Sequence, residues 1–136
     1  MTPIDFLDGS FFMNKWIGLA VGSILGGFSR YLLAGWIYRF TGADFPYGTF
    51  IVNVSGCFLI GLFYSFSEVR FLIGPDARLF LMTGFCGAYT TFSTLILETA
   101  NLAQDGEMAR ALFNFLASGI FGFILFKIGA YLGALA

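Results

Sequence analysis

The chain has 136 residues, of which 58% are hydrophobic, 20% aromatic and only 11% charged, with a formal net charge of −1 and no histidine. A water-soluble domain usually carries about a quarter of its residues as Asp, Glu, Lys and Arg, so this composition calls for a bilayer as its solvent. The missing imidazole excludes a Ser-His-Asp hydrolase and a His-based metal site. Cys57 and Cys86, each inside an apolar run, do not make a disulfide scaffold. Without a basic cluster there is no reason to expect nucleic acid as a partner.

Residues 1–14 carry Asp5 and Asp8 but no basic n-region and no small-residue cleavage site, which reads as an N-terminal interfacial extension and not a signal peptide. Deleting residues 1–12 is expected to leave activity intact. Residues 15–136 read as a single four-helix transmembrane domain. A crossing helix needs about 20 mostly apolar residues, and four such runs fit: about Trp16 to Tyr38, Tyr47 to Phe66, Leu79 to Ala103, and Ala111 to the last residue. Short loops of turn chemistry and charge separate them, around Gly42-Ala43-Asp44, Gly74-Pro75-Asp76 and Asp105-Gly106-Glu107. Trp16, Trp36, Tyr38, Tyr47 and Tyr64 fall near segment ends, where amphipathic rings favour the headgroup interface.

Charge hardly sets the orientation. Lys15, Arg70 and Arg78 fall on one side and Arg39 and Arg110 on the other, with Arg30 and Lys127 inside segments. Three against two leaves almost no positive-inside bias. The chain either inserts both ways and pairs as an antiparallel dimer, or takes one orientation from weak charge differences. Four helices offer little interior, so oligomerisation is expected on size grounds. Gly18, Gly22 and Gly26, and again Gly129 and Gly133, follow the G-x-x-x-G spacing that lets helices approach closely, within a subunit or between two.

Polar side chains in hydrocarbon are costly unless they face protein, water or a substrate. The first segment holds Ser29 and Arg30, the second Asn53 and Ser55, the third Thr83, Thr90, Thr91, Ser93, Thr94 and Glu98, the fourth Asn114, Ser118 and Lys127. No acid lies in the first two segments. A proton-coupled exporter of cationic drugs, the obvious alternative at this size, would need one there. Neutral N–H and O–H donors with an embedded Arg30 suit an anion, which they bind without trapping. Arg30 either snorkels to an interface or borders an aqueous vestibule, and Asn53 either bonds another helix or serves the ion. Phe92 lies among the hydroxyls, where a ring edge carries positive potential for a dehydrated anion.

The stretch Gly84-Phe85-Cys86-Gly87-Ala88-Tyr89-Thr90-Thr91-Phe92-Ser93-Thr94 is made of indifferent or poor helix formers at mid-membrane depth. Either the helix breaks there to line a cavity or hold an ion, or the glycines seat a neighbouring helix and the hydroxyls bond their own turns.

Together with Gly26-Gly27-Phe28-Ser29-Arg30-Tyr31 and Gly48-Thr49-Phe50-Ile51-Val52-Asn53-Val54-Ser55-Gly56, that stretch resembles the small dual-topology fluoride channels of the Fluc or CrcB type, over essentially all of the chain after Lys15. The resemblance implies an all-α membrane protein with four transmembrane helices per subunit, the third broken, paired as an antiparallel homodimer with two fluoride pathways. It implies a structural Na+ at the dimer centre on the backbone carbonyls of Gly87 and Thr90. It places Asn53, Phe92, Thr94, Leu95, Asn114 and Ser118 along the fluoride pathway, and Arg30 and Glu98 at its vestibule and mouth. The family's second pore phenylalanine is replaced by Leu95, whose side chain has no positive edge. The expected function is passive fluoride export across the cell (inner) membrane, with fluoride, membrane lipid and a second copy as partners and no enzymatic activity. A proton-coupled exporter and a non-transporting assembly subunit are the alternatives.

Overall fold

The computed structural model describes residues 9–136, with side chains from Lys15 onward; the remainder of the expected N-terminal extension lies outside the described residues. Turn residues end the helices where backbone chemistry requires. Helix α1 (Gly9–Thr41) stops at Gly42, whose φ of +74° is a conformation natural to glycine, and its N–H bonds back to the Tyr38 carbonyl at 3.0 Å. Helix α2 spans Tyr47–Glu68. The third span opens with Pro75, a residue suited to a first helical turn. It comprises α3 (Pro75–Arg78), a π-helical stretch (Leu79–Cys86), α4 (Gly87–Tyr89) and α5 (Phe92–Gln104). A turn at Gly106, φ +83°, leads into α6 (Met108–Leu135). There is no strand among the described residues. Four helical spans are long and apolar enough to cross a membrane: Lys15–Thr41, Tyr47–Glu68, Pro75–Gln104 and Met108–Leu135. The first helix therefore reaches back to Gly9, inside the expected extension.

Packing follows the glycines. The most extensive contact is between α2 and α6, followed by α1 against the π-helical stretch. A Cβ at Gly61 would strike the Phe126 carbonyl, and one at Gly129 the Phe58 carbonyl, so these two backbones meet without side chains between them. The Ser65 hydroxyl donates to the Ala130 carbonyl at 2.6 Å across the same seam. On α1, Gly22 and Gly26 face the Phe80 and Phe85 carbonyls in the same way, whereas Gly18 has open space around it. Both glycine repeats thus work inside the subunit, apart from Gly18.

Large apolar side chains line the outside. Trp16, Phe28, Tyr31, Trp36 and Phe40 on α1, and Leu112, Phe115, Leu116, Phe123 and Tyr131 on α6, are exposed. At the end where α1 meets α2, Arg110 joins two loops: it pairs with Glu107, donates to the Asp44 carbonyl at 2.8 Å and lies 5.8 Å from the centre of the Phe45 ring.

Candidate functional site

The third span loses its helical conformation at two residues. Thr90 (φ −86°, ψ 157°) and Thr91 (φ −148°, ψ 113°) are extended, between the end of α4 and the start of α5. Peptide groups released from helical bonding inside a protein need other partners. Asn53 of α2 supplies them. Its Nδ2 donates to the Thr91 carbonyl at 3.0 Å and its Oδ1 accepts from the Thr91 N–H at 2.8 Å, so one side-chain amide holds both polar groups of a single residue. Gly56, one turn further along α2, makes room for this arrangement, since a Cβ there would collide with the Thr90 side chain. Thr91 also caps α5: its hydroxyl accepts from the Thr94 N–H at 3.2 Å and donates to the Thr94 hydroxyl at 2.9 Å. The Thr90 hydroxyl donates to the Cys86 carbonyl at 3.0 Å, and Ser55 and Tyr89 share a 2.8 Å bond beside it.

A cavity of about 770 Å³ adjoins this interruption, with Asn53, Gly87, Thr90, Phe92, Leu95 and Ser118 in its wall. Phe92 is 69% exposed and Leu95 only 6%, although both border the cavity. A second cavity of similar size lies at the Arg110 end and contains Tyr38, Asp44, Glu98, Asp105, Glu107 and Arg110. Glu98 is fixed at its edge. Oε1 accepts from the Thr49 hydroxyl at 2.7 Å and from the Tyr38 hydroxyl at 3.2 Å, while Oε2 is buried and has no partner among the described residues.

Between the cavities α5 and α6 are joined by a bond from Asn114 Nδ2 to the Thr99 hydroxyl at 3.0 Å. Asn114 is 1% exposed and Ser118 8%. The Asn114 Oδ1 and the Ser118 hydroxyl are both buried without a hydrogen-bond partner among the described residues. Unmatched buried polar atoms are uncommon and costly, so two of them one helical turn apart mark a place suited to a water or an ion.

Of the residues singled out in the sequence, Asn53, Gly87, Thr90, Phe92, Leu95 and Ser118 therefore come together at one cavity, and Asn114 lies one turn beyond it. Thr94 serves the cap of α5. Glu98 belongs to the second cavity. Arg30 stands apart on α1, half-buried, outside the walls of both cavities and without a hydrogen bond or ion pair among the described residues. Lys127 is exposed, its Nζ 5.8 Å from the centre of the Phe123 ring. Three residues with clear structural work escape the sequence reading. Tyr38 reads there as an interface aromatic, and Thr49 enters only within a resembling stretch. Thr99 follows Glu98 directly and is hidden by it; its spacing of four from Leu95 is the one signal that puts it on the cavity side of α5.

Long apolar spans, an interruption held by a side-chain amide and buried neutral donors define a multi-pass membrane protein organised around polar groups inside its spans. The model of the family described as CrcB-like protein, Camphor Resistance (CrcB), matches residues 17–130, and the chain belongs to that family. It is 44% identical over 119 residues to a protein of Acidobacterium capsulatum named Fluoride-specific ion channel FluC, covering 88% of this chain and 95% of that one. A protein of the same name from Geobacter metallireducens is 51% identical over 102 residues, covering 75% and 82%. Another, from Desulforapulum autotrophicum, is 38% identical over 122 residues, covering 90% and 98%.

Proposed function

We propose that this chain is the subunit of a fluoride-selective channel, through which fluoride leaves the cell passively across the cell (inner) membrane, and that two copies pair in antiparallel orientation. It is a channel and not an enzyme. The observation that carries this reading is the kinship over residues 17–130 with proteins named for fluoride-specific conduction.

The geometry supports it. The interruption at Thr90 and Thr91 is of the kind that membranes tolerate where it lines a cavity. The polar groups beside it are hydroxyls and amides, which contact a small anion without the binding strength of a fixed positive charge. Phe92 at the cavity offers a ring edge. The cavity is bordered by exposed Phe92, Phe115 and Phe123, an apolar rim that a second subunit would close. The near balance of Lys and Arg between the two sides favours insertion both ways and hence an antiparallel pair.

A central Na+ on the Gly87 and Thr90 carbonyls fits the chemistry available. Helix α4 ends at Tyr89, which releases carbonyl groups from helical bonding, and unwound carbonyls are suitable ligands for such a cation. Bound there, the ion would supply charge that holds the interrupted backbones of two subunits together.

Purified protein in liposomes tests the reading. Fluoride efflux well above that of empty vesicles, with chloride retained, is the expected result. Equal release of chloride, or fluoride held as firmly as by empty vesicles, would overturn it.

A further inference from the structure

Arg110, Asn114 and Ser118 are spaced by four on α6 and so share one face at intervals of about 6 Å. Arg110 borders the second cavity and Ser118 the first, with Asn114 between them. On helix α5, Leu95 borders the first cavity and Glu98 and Leu102 border the second, while Thr99, directly after Glu98 and one turn from Leu95, lines neither. The Thr99–Asn114 pair lines neither cavity and belongs to the partition of α5 and α6 where the two walls come within one turn of each other.

The direction of the bonds in this partition is determined. Thr99 has a single hydroxyl hydrogen, which it donates to the Leu95 carbonyl at 2.7 Å. Towards Asn114 it can only accept. Of the two ends of the amide, the NH2 must then face Thr99, as it does at 3.0 Å, and Oδ1 is left uncommitted. Were the amide reversed, two acceptors would meet.

We propose that Thr99 is a positioning residue of the ion route: by donating to Leu95 it sets the orientation of the Asn114 amide in the partition. This rests on the channel reading. An anion there meets the Ser118 hydroxyl and the second N–H of Asn114 as donors, while Oδ1 takes a hydrogen from water. One acceptor among the donors weakens the hold on the ion, which suits passage over storage.

The test is the initial rate of fluoride efflux from liposomes containing full-length protein, with chloride efflux measured beside it. Thr99→Val, which removes the hydroxyl at nearly constant volume, is expected to slow fluoride at least fivefold. Thr99→Ala serves if the valine variant does not assemble, and Thr99→Ser, which keeps the hydroxyl, should restore the rate to within twofold. The decisive arm is Asn114→Thr, where a hydroxyl whose hydrogen rotates to whichever acceptor is present replaces an amide with fixed donor and acceptor ends. In that background Thr99→Val should change the rate by less than twofold. The inference is overturned if Thr99→Val conducts normally in the wild-type background, if it costs the same factor in both backgrounds, or if Asn114→Thr is silent. Fluoride-tight vesicles with the unmodified protein would instead overturn the channel reading, and this inference with it.

Discussion

Asn53 and Asn114 are the same residue in two opposite states. Asn53 has both ends of its amide engaged by the N–H and carbonyl of Thr91. Asn114 has one end engaged by Thr99 and an oxygen with no partner, although it is the more deeply buried of the two. The first arrangement stabilises an irregular backbone. The second leaves polar capacity idle inside the protein, which costs stability and is reasonable only where something transient uses it. On the channel reading proposed above, the matched amide is scaffold and the unmatched one lies on the ion's route.

The largest expected effect lies next to the scaffold. Phe92→Ile should abolish fluoride efflux while the protein still elutes as an assembled species, because Phe92 borders the cavity and is largely exposed. Unchanged flux would put Phe92 outside the route and blur the division. Asn53→Asp should slow efflux more than tenfold and lower thermal stability by about 1–3 kcal/mol. The carboxylate keeps the bond from the Thr91 N–H but turns a second acceptor towards the Thr91 carbonyl. A melting curve like that of the wild type would contradict the scaffold role. Asn114→Leu should separate the two properties: roughly tenfold slower efflux, with stability within about 1 kcal/mol of wild type, since a leucine removes the idle oxygen. A large loss of stability would show that Asn114 is scaffold as well. Leu95→Phe should have the smallest effect, leaving efflux equal or a few-fold higher as the ring extends into the cavity. A complete block would indicate a route shaped around leucine.

Much of this architecture can be read from residue order. The four apolar runs predict the spans: the second starts at Tyr47 in both, while the third and fourth begin a few residues earlier than expected because Pro75 and Met108 open their helices. The poor helix formers between Gly84 and Thr94 mark the irregular region. Which two residues are extended is not legible, because Asn53, 38 positions away, satisfies the freed groups at Thr91. The widened helix over Leu79–Cys86 has no sequence signal that we recognise. Asn114 and Ser118 stand out as polar residues in an apolar helix. Thr99 does not, because its role comes from a bond to another helix, and hydroxyls that bond to the preceding turn of their own helix are common.

The anchoring of Arg110 has a practical consequence. Through Glu107, the Asp44 carbonyl and the Phe45 ring, it makes the first and third connections one piece. Affinity tags, reporter fusions or antibody epitopes spliced into either connection would have to break that piece. The middle connection lies at the other end of the subunit and is tied separately, by the pair of Arg78 with Glu68, so an insertion between those two residues leaves the Arg110 piece of the same subunit untouched.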